Sequence, residues 1–482
     1  MDKNSIVTKY LSSKGYCINT LYYKNISFWN QWYKNKVDSF HIYHDHNDDK
    51  KELYKLGMAK KGCEDWSSIL YTERDSMICD NESNQRYLDN LLSDIGFDDM
   101  IPENIENAFW SGTLVTVTRL KNVIIKNNEL FADDKTKIDI INVTADSIIP
   151  LKIVHGKIKD LAIISETTIE NKKVYYIEIH ELINNEYVIK NSYVNESGEE
   201  ISLPANLIGE LHTHSSIPQF SVLSPRIVNN IKNNNGLGIS IYANAIDQLK
   251  GCDLSYNNYL KDTELGGKKV FYNKKLVKHI TVLKEDVNGN KMPVDIPVYP
   301  DDITKQQFQV LGDDMENVND KTLIQEYNPD LRMEDNEKNI NLALNLYSFK
   351  IGLGKGFYKF ENGTIVTATQ YLGENKDLVD NAKKHRKALN EYCVGIARAI
   401  LALGRLVFHE NVDENDKISL TDKDGFLVSE EELQEQYRKD FEAGLMSKLT
   451  YLMKARGMSK QQALDEIALI NESNPKLEEV IG

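Results

Sequence analysis

Cysteine is sparse: five residues, Cys17, Cys63, Cys79, Cys252 and Cys393, are scattered over 482 positions with no CxxC pair. An odd, dispersed set excludes a disulfide framework and reads as small buried residues in a reducing compartment. Cationic charge is also in deficit, with Lys+Arg 58 against Asp+Glu 73 and a net charge of −15. Affinity for nucleic acid comes largely from cations that neutralise phosphates, so this balance excludes a protein that grips nucleic acid over its whole surface. It does not exclude DNA that passes nearby without sticking. A long apolar run is missing too: "VGIARAILALGRLVF" (394–408) carries Arg398 and Arg405 and is too short to span a bilayer. The amino terminus, "MDKNSIVTKYL", lacks basic, apolar and small-residue regions in series. The expectation is a chain with no secretory signal and no membrane partner, soluble and intracellular when made.

Catalytic signatures are equally scarce. No Ser or Cys sits in a nucleophile elbow. "HIYHDH" offers His41, His44, Asp45 and His46, and "HTH" offers His212 and His214, but neither has a partner at finger-like or HExxH spacing. They read as solvated loop histidines. "LTDKDGFLVSEE" places Asp422, Asp424, Gly425 and Glu431 as in a calcium loop, but Leu420 occupies the first ligand position. "IGLGKGFYKFENGTIVTATQ" (351–370) suggests a phosphate loop, which requires a glycine, four free positions, then Gly-Lys-Ser/Thr between a strand and a helix. Here Lys355 is followed by Gly356, and Gly352, Gly354 and Gly356 end a helix-like segment instead. A helix C-terminus that needs positive φ fits better. No metal, cofactor or catalytic centre is expected.

What is present describes an ordinary folded protein: 41% hydrophobic and 27% charged residues. The length suggests roughly three domains. Residues 1 to 100 are mainly helical in pattern, with "SFWNQWYKNKV" and "DWSSILYTERDSM" spacing apolar residues by three and four. From 110 to 195 the pattern turns to strands, in "GTLVTVTRL", "IDIINV", "DLAIISET", "KVYYIEIHEL" and "EYVIKNSYV". The fold class is therefore α+β.

Beyond residue 236, Ile239, Tyr242, Ile246, Leu249, Cys252, Tyr256 and Tyr259 step by three or four, predicting one helix that stops at Gly266 and Gly267. Short strand-like pieces follow, "KVFYN", "HITVL" and "DIPVYP". A second helix begins at "MEDNEKNINLALNLYSFK", with acidic residues in its first turn and Leu342, Leu346, Phe349 and Leu353 as its buried face. One helix leads out, a small module folds, and another helix returns: the layout of a stalk. Leu378, Ala382, His385, Leu389, Cys393, Ile396, Ile400, Leu403 and Val407 then predict a long helix, with bends expected at Gly395 and Gly404. Two amphipathic helices close the chain, "SEEELQEQYRKDFEAGLMSKLTYLMKARG" and "SKQQALDEIALINES", with Gly457 ending one and Ser459 capping the next.

The phrases "PQFSVLSPRIVNNIK", "EYNPDLRMEDNEKNINLALNLYSFKIGLGKG", "TIVTATQYLGENKDLVDNAKKHRKAL" and "AGLMSKLTYLMKARGMSKQQALDEI" together resemble the portal proteins of tailed bacteriophages. The likeness is to the family found in long-tailed phages of Gram-positive bacteria, and covers residues 200 to 475 best. It implies a ring, typically of twelve copies, at one capsid vertex of the virion, assembled in the host bacterial cytoplasm. Double-stranded DNA would pass through it, driven by the terminase large subunit, with a head-tail adaptor, scaffolding and major capsid proteins as further partners. In family terms residues 1–236 become an α/β wing, 237–265 a stem helix, 266–332 an α/β clip and 333–354 the returning stem helix. Residues 355–375 become the tunnel loop, 376–408 a long kinked helix and 409–482 a helical crown. The resemblance puts Lys355, Lys359, Glu361, Asn362 and Thr364 beside DNA, and Asp301, Asp302, Gln306 and Gln309 at the partner-binding clip. A nucleotide-binding or metal-dependent enzyme, or another virion structural protein, is the alternative reading.

Overall fold

The computed structural model describes residues 3–45, 47–72, 74–126, 129–169, 171–204, 207–231, 235–266, 269–273, 278–285, 291–298, 308–311, 324–358, 376–421, 430–456, 458 and 460–473. Helix and sheet are mixed, and helices come first: Lys3–Ser13, Tyr23–Tyr33, Asp38–His41, Met58–Thr72, Glu82–Ile95 and Phe97–Ser111. In the second of these, Tyr23, Ile26, Trp29 and Trp32 recur at three-residue steps, and all four are buried. The helix from Glu82 starts where the Asn81 side chain accepts the Ser83 N–H, and stops at Gly96, whose φ is 70°.

Strands follow. Lys157–Ile169, Lys172–Ile183 and Glu186–Asn195 form an antiparallel meander, with Tyr176 opposite Ser165 on one side and Tyr193 on the other. Asn184-Asn185 within it, and His155-Gly156, which joins Ile148–Val154 to Lys157–Ile169, are two-residue turns with positive φ, whose twist matches that of the strands they join. Ile148–Val154 lies on one edge, and Glu200–Ile201 and Glu210–His212 pair with Glu186–Asn195 at the other. A smaller sheet sets Leu114–Lys121 between Phe220–Leu223 and Lys137–Thr144. Residues 114–118 are all buried, so this strand sits inside the core.

The outgoing helix runs Ile246–Leu265, not from Ile239 as its apolar spacing suggested or from 237 as the family division implied. Ile239 and Tyr242 are buried, and the chain there is tied to the helical body. The Ile241 N–H donates to the Phe109 carbonyl at 2.8 Å and the Tyr242 hydroxyl to the Trp29 carbonyl at 2.8 Å. Locally the chain turns, with the Ala243 N–H donating to the Ser240 carbonyl at 3.0 Å and the Ala245 N–H to the Tyr242 carbonyl at 2.9 Å. The returning helix, Met333–Lys350, packs antiparallel on the outgoing one, where Asp262 accepts from Arg332 Nη2 at 2.6 Å and Asn336 Nδ2 at 2.9 Å. Between them lie Lys269–Asn273, parallel to Phe308–Leu311 and antiparallel to Ile324–Tyr327, and the hairpin of Lys278–Glu285 with Lys291–Val298.

The buried face of the returning helix also differs from expectation. Leu344, Tyr347, Ile351 and Leu353 are buried, whereas Leu342, Leu346 and Phe349 are 59, 50 and 49% exposed. Both sets recur at helical spacing, and periodicity alone cannot say which one meets the core.

The long helix is continuous over Lys376–Val407. Its glycines serve close packing: a Cβ on Gly395 would lie 2.3 Å from Ser221 Oγ, and one on Gly404 within 2.8 Å of the Tyr87 ring. Ser221 Oγ in turn donates to the Tyr392 carbonyl at 2.9 Å, binding this helix to the small sheet. The first closing helix breaks in two, Glu430–Glu442 and Lys448–Arg456, at Gly444 with φ 71°. Ser447 Oγ caps the second piece by accepting the Thr450 N–H at 3.1 Å. Lys460–Ser473 follows; Gly457 and Ser459 lie outside the described residues.

Four elements meet at Trp66. Its indole Nε1 donates to the Ile351 carbonyl at 3.0 Å, where the returning helix ends, and its ring meets His385 of the long helix at 4.9 Å and Phe109 at 6.1 Å. Removing such a ring leaves both a cavity and an orphaned carbonyl. Trp66→Ala is expected to lower stability by about 3–5 kcal/mol, and Trp66→Phe, which loses chiefly the hydrogen bond, by about 1–2 kcal/mol. Urea unfolding followed by circular dichroism checks the order of the two; equal losses would contradict this role for the ring.

Candidate functional site at the base of the helix pair

The glycine stretch follows a helix and turns the chain. Gly352, Gly354 and Gly356 have φ values of 86, 83 and 81°, a region that side-chain-bearing residues rarely enter. At Gly352 space is short as well, because a Cβ would approach Asn381 Nδ2 to 2.9 Å, and that amide donates to the Gly352 carbonyl at 3.1 Å. The element before the glycines is the helix Met333–Lys350, not the strand that a phosphate loop requires.

Lys355 is exposed, with Nζ 5.9 Å from the centre of the Phe349 ring. Lys359, Glu361, Asn362 and Thr364 lie outside the described residues, as do Asp301, Asp302 and Gln306. The backbone of Gln309 belongs to the strand Phe308–Leu311, opposite Phe271.

Sequence reading missed the anchor of this turn. The Tyr358 hydroxyl donates to Asp65 Oδ2 at 2.7 Å, its ring stacks on Tyr347 at 6.2 Å, and Phe357 meets it edge-on at 5.0 Å. Burial, followed by the bond to Asp65, pushes the Tyr358 phenol far above its usual range, so it stays a donor. Tyr347 is tied in the same way, donating to the Met58 carbonyl at 2.8 Å. The available signal was the aromatic pair "FY" directly after the glycines.

The histidines divide. His41 is buried, accepts the Val37 N–H at Nδ1 (3.1 Å) and meets Asp253 through Nε2 (3.0 Å), which ties it to the outgoing helix. This corrects the reading of a solvated loop histidine; no spacing or motif pointed to Asp253 as its partner. His44 ends a short strand and His46 lies outside the described residues. His212 and His214 are exposed and share Glu186 Oε1 at 3.5 and 3.1 Å. A backbone bond from His214, with the two imidazoles, holds the Glu186 carboxyl below its usual range. Among the described residues no group of three or more His, Cys, Asp and Glu is arranged to hold a metal ion. Asp422, Asp424 and Gly425 lie outside those residues, and the backbone of Glu431 is helical. No helix among the described residues is long and apolar enough to cross a membrane.

The five cysteines are free thiols and four are buried. Burial pushes Cys79 up to about 11 and Cys252 and Cys393 to about 12, which keeps them protonated and inert.

No family model matches the chain, and no curated protein matches it. Among solved structures it is similar to a chain of the "neck of native GTA particle computed with C12 symmetry", at 9% identity and a TM-score of 0.36, over 82% of this chain and 88% of that one. At that score the likeness carries no argument, and the reading of function rests on the chain's own residues.

His385 gives the site region a pH dependence. Wedged between Trp66 and Phe109, it accepts the Arg226 N–H at Nδ1 (3.0 Å), and burial, helped by Lys384, lowers its pKa from 6.5 to about 3. The unfolded chain therefore takes up the proton first. This stability contribution is complete above pH 6.5 and is lost as pH falls toward 3, by at most about 1.4 kcal/mol per pH unit. His385→Gln keeps an acceptor for Arg226 and loses the titration. Urea midpoints of the two proteins are expected to converge or cross as pH falls below 6.5; parallel curves would contradict the assignment.

Proposed function

We propose that the chain is a phage virion structural protein and, more closely, the portal subunit of a long-tailed phage. Its copies form a ring at one capsid vertex, through which a terminase packages double-stranded DNA and to which a head-tail adaptor attaches. It acts as a channel and not as an enzyme. The four phrases that resemble portal proteins support this, and one structural observation carries it furthest: a helix pair that bears a small strand module has an apolar stripe left open. Leu342, Leu346 and Phe349 lie at i, i+4 and i+7 on the returning helix and are about half exposed or more. Leu342 and Leu346 also line a groove of about 270 Å³ whose other walls include Gly251 and Ala343 and the polar Gln248, Asn258 and Asn339.

Such a stripe is what a subunit needs when the next copy completes its core. Burying the three side chains would contribute roughly 1.5–3 kcal/mol each. Repeated around a ring, that contact holds the assembly without any change in the fold of the subunit. The glycine turn and its Tyr358 anchor then mark the start of the tunnel loop, 355–375, with Lys355 facing solvent at its root. The net charge of −15 per subunit suits a channel through which duplex must slide, since each neutralised phosphate adds salt-dependent affinity.

Leu346→Asp tests the reading, because it places a charge in the contact while altering only an exposed position of the subunit. Sedimentation velocity is expected to show the wild type as a ring and the variant mainly as a folded monomer. Identical assembly of both would contradict the stripe as the contact. Turnover of a nucleoside triphosphate by the wild type, lost in Lys355→Ala, would favour the enzyme reading instead.

A further inference from the structure

The turn after the returning helix is held differently at its two ends. At the first, the Ile351 and Gly352 carbonyls take donors from Trp66 and Asn381, a Cβ on Gly352 would crowd Asn381, and Leu353 is fully buried. At the second, Tyr358 reaches the helix Met58–Thr72 through its hydroxyl, which donates to Asp65 Oδ2 at 2.7 Å. Gly354 lies between the two with φ 83°, and among the described residues a Cβ there would meet nothing within 4 Å. A glycine in open space absorbs a change of backbone angle at low cost. Lys355 follows it and is exposed, and Phe357 and Tyr358 are only partly buried.

The ends differ again in what opening would leave behind. At the first, it would orphan the Ile351 carbonyl beside the buried Trp66 ring, and an unpaired buried acceptor is costly. At the second, Asp65 already has another partner. Its Oδ1 is paired with Lys61 Nζ, and its side chain is 15% exposed. When Tyr358 leaves, the carboxylate keeps its cation and the phenol finds water. Tyr347 stays behind as the floor of the seat: it is fully buried, donates to the Met58 carbonyl at 2.8 Å, and stacks on Tyr358 at 6.2 Å.

We propose that Tyr358 and Asp65 form a releasable latch. Closed, it seats residues 354–358 on the helix Met58–Thr72. Open, it lets them swing about Gly354 while Ile351, Gly352 and Leu353 stay in place. The device acts within a single chain and does not rest on the ring. Its consequence is positional: Lys355, the cation of this segment, has two settings, and its charge moves between them without disturbing the aromatic core. The opening is local, drawn from a shallow contact and not from the packing around Trp66.

The test is limited trypsin digestion of the native full chain, followed by mass spectrometry. Cleavage between Lys355 and Gly356 reads the open form, because the protease needs the chain out of its seat. Its rate is compared with that of cuts elsewhere in the same sample, at equal particle mass for all variants. Tyr358→Phe keeps the ring on Tyr347 and loses only the hydroxyl. Loss of a hydrogen bond to a carboxylate is expected to raise the rate roughly tenfold. Asp65→Asn, which keeps a neutral acceptor, is expected to raise it less. Lys61→Ala takes away the second partner of Asp65, makes release costlier, and is expected to slow the cut. An unchanged rate in Tyr358→Phe, an equal acceleration at cuts elsewhere, or a faster cut in Lys61→Ala would each overturn the proposal.

Discussion

The hydrogen bond from Trp66 to the carbonyl of Ile351, made inside an aromatic cluster, is the contact on which the arrangement turns. It fixes the point at which the returning helix ends, and the same ring packs against His385 and Phe109. A helix end leaves carbonyls without partners, and one buried among aromatics must find a donor or lose stability. Trp66 supplies that donor. The Gly352 carbonyl next to it is taken by Asn381 of the long helix, so two successive carbonyls are satisfied from two different elements. The direction in which the chain leaves toward residue 355 is thereby set by the core.

The helix pair then follows as an extension of that core. At its base it is tied by Tyr347 to Met58 and by Asp253 to both His41 and the Leu56 N–H. Farther out the ties become polar and exposed, as between Asp262, Arg332 and Asn336. Along the returning helix a single chain leaves Leu342, Leu346 and Phe349 uncovered. A firm base with an open apolar flank is the form that the proposed contact between copies would use.

Much of this was legible in the residues. The helical start, the run of strands from 110 to 195 and the helix bounds at 333 and 376 follow from spacing, and the helix-ending role of the glycines from the missing hydroxyl after Lys355. Other features were hidden because they depend on partners distant in the chain. Ile239 and Tyr242 continue a helical stripe, but the bonds from the Ile241 N–H to Phe109 and from the Tyr242 hydroxyl to Trp29 tie that stretch to the helical body. His41 looked like a loop histidine until Asp253 arrived from more than 200 positions away. The two faces of the returning helix have the same period, so only packing could separate Leu344 from Leu342. Gly395 and Gly404 were read as bends, and the close approach of Ser221 and Tyr87 to them could not be seen from spacing.

The central claim is that copies of this chain close into a ring around a space wide enough for duplex DNA. The most direct measurement is the mass and symmetry of the native particle, by native mass spectrometry with electron-microscope class averages. The account predicts about a dozen subunits of 55.2 kDa around a central hole. A stable closed dimer with nucleotide bound would contradict it and return the glycine stretch to consideration as an active site.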